Sequence, residues 1–203
     1  MYRPRRTLKG HTGKIYSMAW CTDSERVLSA AQDGKLIIWD ARDGEKLGAA
    51  FLKSNWVMAC AFAPSGRLVA SGGLDNTCTI WNVDKFDEPM AELSGHSGFI
   101  SSCKFLDDRQ ILSSSGDNTI ALWDIERKLK VGEFMGHSGD VTSIGLLPSR
   151  NAIASCSVDK TVKIWDLRDR RCCQTMTGNE GDINNLSVFP SGDAVGKRCL
   201  AML

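Results

Sequence analysis

Serine, histidine and aspartate recur together in this chain, three times in the same order. The sets are His11, Ser29, Asp33; His96, Ser113, Asp117; and His137, Ser155, Asp159. These residue types form the triad of many hydrolases, in which histidine takes a proton from serine and aspartate orients the imidazole. The repetition argues against that chemistry, because a domain needs one active site and no Gly-x-Ser-x-Gly segment exposes any of these serines.

The spacing of these residues points to copies of one structural unit. Three residue types recur every 42 residues: Trp39, Trp81, Trp123 and Trp165; Asp33, Asp75, Asp117 and Asp159; Ser29, Ser71, Ser113 and Ser155. A period in the low forties that ends in Trp-Asp is typical of a four-stranded propeller blade. In WD-repeat propellers, histidine, serine, aspartate and tryptophan form a hydrogen-bonded set inside the blade. Because an unpaired buried polar group costs about 1 to 3 kcal/mol, we interpret these sets as structural.

Each copy predicts short apolar strands separated by turn residues. In the first copy these strands are Ile15 to Cys21, Arg26 to Ala31, Leu36 to Trp39 and Lys46 to Leu52, with a tight turn at Asp33-Gly34. Such short connections leave no room for helices, so the fold class is all-β, an incomplete propeller. The predicted segments are repeats at 8–40, 50–82, 93–124 and 134–166, part of a fifth at 176–194, and a divergent tail at 195–203.

Composition excludes several classes of function. A net charge of +1 over 203 residues offers no broad basic field for nucleic acid. No apolar run reaches the roughly 20 residues of a membrane span, and Met1 to Arg6 lack the apolar stretch of a signal peptide, so we expect a cytoplasmic protein. The eight cysteines form no C-x-x-C pair, and most lie in apolar strand patterns. With no phosphate-binding loop either, the sequence predicts no catalytic, cofactor or metal residues.

Several segments are more specific than the repeat itself. They include Gln32-Asp-Gly-Lys-Leu-Ile-Ile-Trp39, Trp56-Val-Met58, Ser71-Gly-Gly-Leu-Asp-Asn76 and Phe105-Leu-Asp-Asp108. From about Arg5 to Ala194, the chain closely resembles the β subunit of heterotrimeric G proteins. That resemblance implies a seven-bladed ring whose face, lined by the loops that enter each blade, binds the α subunit and, after α leaves, effectors. It implies a place in receptor-coupled signalling, without enzymatic activity, at the inner plasma membrane through partners.

The resemblance also assigns residues to partner binding. The matching positions are Lys14, Tyr16, Lys46, Trp56, Met58, Leu74, Asn76, Asp140, Asp182 and Asn184. At two further matched positions the chain departs from the family, with Phe99 in place of tyrosine and Thr142 in place of methionine. Losing a phenolic hydroxyl and a thioether costs on the order of 1 kcal/mol each, so we expect weaker binding to the same partners.

Both ends of the chain depart from the family as well. Met1 lies ten residues before His11, and without heptads the sequence gives no basis for binding the γ subunit through a coiled coil. After Ala194 the residue pattern of the repeat stops, and Arg5 to Leu8, which would complete the last blade of a closed ring, lack that blade. We therefore expect open blade edges that promote self-association, and a poorly stable monomer. Pairing of two chains into an eight-bladed ring is an alternative.

Two other classes of function stay open on the sequence. One is a truncated product that lacks a stable fold or normal activity. The other is a different WD-repeat adaptor, resembling the receptor for activated C kinase or a ubiquitin ligase recognition module. The Trp56-Val-Met58 and Ser71 to Asn76 segments disfavour that adaptor class.

Overall fold

Five antiparallel sheets follow one another along the chain in the computed structural model, which describes residues 6–189 and 195–199. Blade 1 comprises β1 (Ile15–Trp20), β2 (Arg26–Ala31), β3 (Lys35–Asp40) and β4 (Lys46–Phe51). Blade 2 comprises β5 (Val57–Phe62), β6 (Leu68–Gly73), β7 (Thr77–Asn82) and β8 (Lys85–Ser94). Blade 3 comprises β9 (Ile100–Phe105), β10 (Gln110–Ser115), β11 (Ile120–Asp124) and β12 (Leu129–Phe134). Blade 4 comprises β13 (Val141–Leu147), β14 (Ala152–Ser157), β15 (Val162–Asp166) and β16 (Cys172–Met176). A two-stranded hairpin of β17 (Ile183–Val188) and β18 (Val195–Cys199) begins a fifth blade.

The all-β fold class is confirmed. Within the described ranges the one helical segment is a 3-10 turn at Pro148–Arg150, and no helix there is long and apolar enough to cross a membrane. The tight turn between the second and third strands recurs in all four blades, with Gly34, Asn76, Asn118 and Lys160 at φ values of 73°, 60°, 71° and 66°. Glycine and asparagine, which occupy this position in three of the four blades, tolerate the left-handed conformation best.

The blades stack face to face, and their cores lie between them. The first strands of successive blades, β1, β5, β9, β13 and β17, are neighbours and form the inner wall of an arc. Between blades 2 and 3, for example, Ile80 and Leu93 pack against Ile100 and Phe105, all of them buried. The fit is close, because a Cβ on Gly72 would lie 2.5 Å from Ile100 Cγ2. Each blade therefore depends on its neighbour for its core, as expected for repeat proteins.

The first blade has one open inner strand. Ile15 is 56% exposed, whereas the residues at the same strand position in blades 2 and 3, Val57 and Ile100, are 1% and 0% exposed. Farther out on the same face, Leu8 packs against the buried side chains of Val27 and Trp39. Self-association through such edges stays a prediction.

Two predictions concern the ends of the chain. Of the predicted segment Arg5 to Leu8, Arg5 lies outside the described residues, and residues 6 to 8 are not in a strand. At the other end, strand pairing continues past Ala194, where the residue pattern of the repeat stops. Residues 195–199 pair with β17, from Val188↔Val195 to Ile183↔Cys199. Pairing is possible there because backbone groups, not the serine and tryptophan of the repeat, form the ladder.

Candidate protein-binding site

Hydrogen bonds join the recurring side chains of blades 1, 3 and 4 into sets of four residues. In blade 3, His96 Nδ1 lies 2.7 Å from an Asp117 carboxylate oxygen, and His96 Nε2 lies 2.8 Å from Ser113 Oγ. Trp123 Nε1 donates to the same Ser113 Oγ at 2.7 Å. The same contacts occur at 2.7 to 3.1 Å among His11, Asp33, Ser29 and Trp39, and at 2.7 Å among His137, Asp159, Ser155 and Trp165.

Charge and burial decide what these hydrogen-bonded sets of residues can do. Because the carboxylate only accepts, Nδ1–H of the imidazole donates to it, Nε2 accepts from the serine hydroxyl, and every polar group is satisfied. The serine–histidine–aspartate contacts match those of a hydrolytic triad. However, Ser113 and Ser155 are completely buried and Ser29 is 6% exposed, so a substrate cannot reach the hydroxyls. The arrangement fits a structural role, because it joins the loop that enters the blade to the turn between the second and third strands. That turn begins at the aspartate, and we call it the Asp turn.

The electrostatics of the blade 4 set favour an ionised aspartate and a neutral histidine. Burial alone would raise the pKa of Asp159, but hydrogen bonds from Thr161 and His137 and from the Ser138 N–H lower it to about 2. Burial lowers the pKa of His137 below its ordinary value, although Asp159 opposes that shift. The pKa values of Asp33 and Asp117 are also lowered, since hydrogen bonds there outweigh burial.

Blade 2 has a shorter set. Trp81 Nε1 donates to Ser71 Oγ at 2.9 Å, but Asp75 accepts the Thr77 N–H at 3.4 Å within its own turn. Lys53, near the position that histidine occupies in the other blades, pairs instead with Glu92 at 2.7 Å. In the fifth repeat Asn179 replaces histidine, and its Nδ2 donates to the Lys160 carbonyl oxygen.

Most of the residues assigned to partner binding fall at two positions of the repeat. The residue just before each inner strand is Lys14, Trp56, Phe99, Asp140 or Asp182. The second residue of the inner strand is Tyr16, Met58, Ser101, Thr142 or Asn184. Leu74 and Asn76 join them from the Asp turn of blade 2, at the same end of that blade. We call this end of the arc, formed by these twelve residues, the rim.

An aromatic pair dominates the blade 1 and blade 2 part of the rim. The rings of Tyr16 and Trp56 stack with centroids 5.8 Å apart and an interplanar angle of 23°, yet both remain about 40% exposed. Trp56 has a φ of 68°, a strained conformation for a bulky residue. Gly73 allows that conformation, since a Cβ there would lie 2.2 Å from the Trp56 carbonyl oxygen. Gly73 was not among the predicted site residues, although the Gly-Gly pair before Leu74 was a signal.

Gly73→Ala is expected to displace the Trp56 backbone and lower the free energy of unfolding by about 1 to 3 kcal/mol, as overpacking does. Urea unfolding measures this directly. Gly196→Ala is the matched control, because the nearest atom to a Cβ at Gly196 is 3.8 Å away and the change should cost about 0.5 kcal/mol or less. Equal effects of the two substitutions would contradict the assigned contact.

The other rim residues differ in chemistry from this pair. Leu74 is 49% exposed and adds apolar surface beside it, and Phe99 is half-buried in space that Gly116 leaves open. Asp140 and Asp182 place carboxylates on blades 4 and 5, whereas Lys14 is an exposed cation on blade 1. The rim therefore carries its aromatic and apolar side chains on blades 1 to 3, together with the Lys14 cation, and its two carboxylates on blades 4 and 5.

Thr142 has an internal role that sequence analysis missed. Its hydroxyl lies 2.5 Å from the Ile183 carbonyl oxygen of the next blade. Ser101, at the same position of blade 3, likewise donates to the Val141 carbonyl oxygen. These hydroxyls form hydrogen bonds between neighbouring blades. The threonine at position 142, which departs from the family, therefore adds a hydrogen bond between blades 4 and 5. A hydroxyl recurring at one strand position was the available signal.

Lys46 does not belong to the rim. It begins β4 and lies opposite Trp39 near the end of β3, whereas the rim lies where β1 begins. Strand direction explains the separation, because each fourth strand starts at the end of the blade opposite the Asp turn. Lys46 is exposed on the outer strand of blade 1.

A groove of about 560 Å³ follows the inner strands behind the rim. Its lining combines rim residues such as Tyr16 and Asn184 with small polar groups such as Ser102 and Ser143. No cluster of three or more metal-ligating side chains occurs in the part of the chain that the structure describes.

Comparisons with known proteins give matches over most of the chain. A family model described as "G protein beta WD-40 repeat protein" matches residues 1–199. Over 149 residues, the chain is 50% identical to the guanine nucleotide-binding protein subunit beta-1 of Drosophila melanogaster. The match covers 72% of this chain and 44% of that relative, so the chain spans less than half the length of the relative it matches.

Proposed function

Because the chain belongs to the G protein β family of WD-repeat proteins, we propose that it is a non-enzymatic signalling scaffold whose rim binds a G protein α subunit and effectors. The proposal places it in the cytoplasm, and at the inner plasma membrane through those partners. Family membership gives the class of protein. The α subunit and effectors are inferred from that family, and the chemistry of the rim supports a protein partner.

The exposed Tyr16–Trp56 stack is the observation that carries the proposal. Both rings are about 40% exposed although a strained backbone and a required glycine hold Trp56 in place. Aromatic side chains in rigid, partly exposed settings are typical centres of protein interfaces. The Trp56 backbone conformation costs energy and brings the side chain no contact with the core. We therefore explain it by the exposed indole ring, which a protein partner can contact.

The chemistry around the stack supports a protein partner rather than a small substrate. Leu74 and Phe99 extend the apolar area, and Asp140 and Asp182 offer carboxylates farther along the arc. An apolar centre with charged residues beside it is the usual anatomy of a protein interface. The buried serines of the hydrogen-bonded sets support the non-enzymatic part of the proposal.

Trp56→Ala is expected to weaken binding to a GDP-bound α subunit about 30-fold, since a central interface tryptophan contributes about 2 kcal/mol or more. Isothermal titration calorimetry with the purified α subunit measures the dissociation constant. The loss should come from the contact surface, because an exposed side chain contributes little to the blade core.

Trp20→Ala is the matched control for that experiment. Trp20 is 56% exposed, but it ends β1 and therefore lies away from the rim. We expect it to change the dissociation constant less than threefold while both variants keep wild-type circular dichroism. If the wild-type chain fails to bind the α subunit, or if both variants bind like wild type, the proposed function is wrong.

A further inference from the structure

The outer strand of blade 4 differs from the other outer strands. β16 is the last strand of its sheet, and all five of its residues, Cys172-Cys173-Gln174-Thr175-Met176, are exposed. It contains no charged residue, proline or glycine. The outer strands β4, β8 and β12 each carry charge: Lys46 in β4; Lys85, Asp87, Glu88 and Glu92 in β8; Lys130 and Glu133 in β12.

An uncharged outer strand is open to pairing. Its outward backbone N–H and C=O groups can form a ladder with another strand, and natural proteins usually prevent this with charged residues or proline on the edge. β8 has both protective features, proline and charge, with Pro89 and four charged residues among its ten residues. β16 has neither, although Lys163 reaches across from β15 to donate to Thr175 Oγ at 3.0 Å.

Self-pairing about a twofold axis sets a further condition, because each strand then faces its own sequence. Like charges opposite one another destabilise such a pair. A strand without charges avoids that cost, which favours a second copy of this chain as the occupant of β16. The interface would be isologous, with the same residues contributed by both copies.

The thiols of β16 support the same location. Among the described residues, Cys172 and Cys173 are the exposed cysteines, and the cysteines of blades 1 to 3 and Cys156 are buried. Residues directly opposite in an antiparallel pair have Cβ atoms about 4.5 to 5.5 Å apart, close to the separation a disulfide needs. With a twofold axis at Cys173, the two Cys173 thiols lie opposite each other, Cys172 lies opposite Gln174, and Arg171 lies opposite the uncharged Thr175.

We propose that β16 is a self-association edge, which pairs antiparallel with β16 of a second copy and places Cys173 opposite Cys173 of that copy. The pairing joins outer edges of blades, so it leaves the rim and the inner groove uncovered. It depends neither on binding an α subunit nor on the open face of blade 1.

Sedimentation velocity over a wide concentration range tests the pairing. We expect the wild-type chain to show a reversible dimer, and Gln174→Lys to weaken dimerisation about tenfold or more, because two lysines then lie in the shared ladder. Leu47→Lys, which adds the same charge to the outer strand of blade 1, should leave the dimer unchanged. A wild-type monomer throughout, or a Gln174→Lys dimer as strong as wild type, would overturn the proposal.

Cross-linking locates the contact independently. In a Cys199→Ser background, diamide should link two copies through β16: two thiols lose two electrons and two protons, and the azo group takes them up as it becomes a hydrazine. The Cys172→Ser/Cys173→Ser variant should lose the covalent dimer on non-reducing gels yet sediment as the reversible dimer. A dimer that survives Gln174→Lys but disappears in Ile15→Lys would place the contact on blade 1 and contradict the proposal.

Discussion

Ser113→Ala is expected to lower the free energy of unfolding by about 2 to 6 kcal/mol, a large fraction of the stability of many domains. The serine hydroxyl has two partners in blade 3: it accepts from Trp123 Nε1–H and donates to His96 Nε2. Alanine removes it from a site with no solvent exposure, so no water replaces it. Two buried polar groups then lose their hydrogen bonds, at about 1 to 3 kcal/mol each.

Ser71→Ala in blade 2 is the internal control for that prediction. Ser71 is equally buried, but the chain has no histidine in this blade, and only Trp81 Nε1–H loses its partner. We expect about half the destabilisation of Ser113→Ala, measured by urea unfolding at neutral pH. If the two variants lose the same free energy, the histidine contributes nothing to the set and the four-residue description is incorrect.

The repeat explains why the sequence predicts the fold so well. Tryptophan, aspartate and serine at a constant spacing fix the strand order, and the Asp turns fix where second strands end and third strands begin. The predicted second strand of blade 1, Arg26 to Ala31, is the observed β2. Prediction was poorer after Ala194, because β18 pairs through its backbone and carries none of the residues that mark a repeat.

The candidate site was predictable in position but not in geometry. Tyr16, Trp56 and Met58 could be placed by resemblance, and the strand positions bring them to one rim. The left-handed backbone at Trp56 could not be foreseen, since tryptophan disfavours it and only the packing against Gly73 reveals it. Lys46 was assigned to partner binding by resemblance, which gives residue identities without strand direction, so its distance from the rim was not foreseen. Thr142 was treated as a lost contact because its bond to the next blade depends on tertiary structure.

Acidification is expected to destabilise the chain in two steps. The pKa of His137 is below its ordinary value of 6.5, so as pH falls below 6.5 the unfolded chain takes up a proton that the folded chain resists. Asp159 acts in a lower window: its pKa falls from 3.8 unfolded to about 2 folded, so its stabilisation is present above 3.8 and is lost towards pH 2. After solvent screening, the Asp159 step corresponds to about 1 to 2 kcal/mol.

His137→Asn separates the two steps. Asparagine cannot be protonated, and the fifth repeat already uses Asn179 at the matching position. The variant should be less stable than wild type at neutral pH, because Ser155 and Asp159 lose the imidazole between them. Its stability should also fall less steeply between pH 7 and 5, while a smaller loss below pH 4 remains, because Thr161 and Ser138 still hydrogen-bond Asp159. Urea unfolding across this pH range measures both slopes; unchanged steepness in the upper window would show that His137 does not drive that loss, and stability that rose on acidification would reverse the assigned signs.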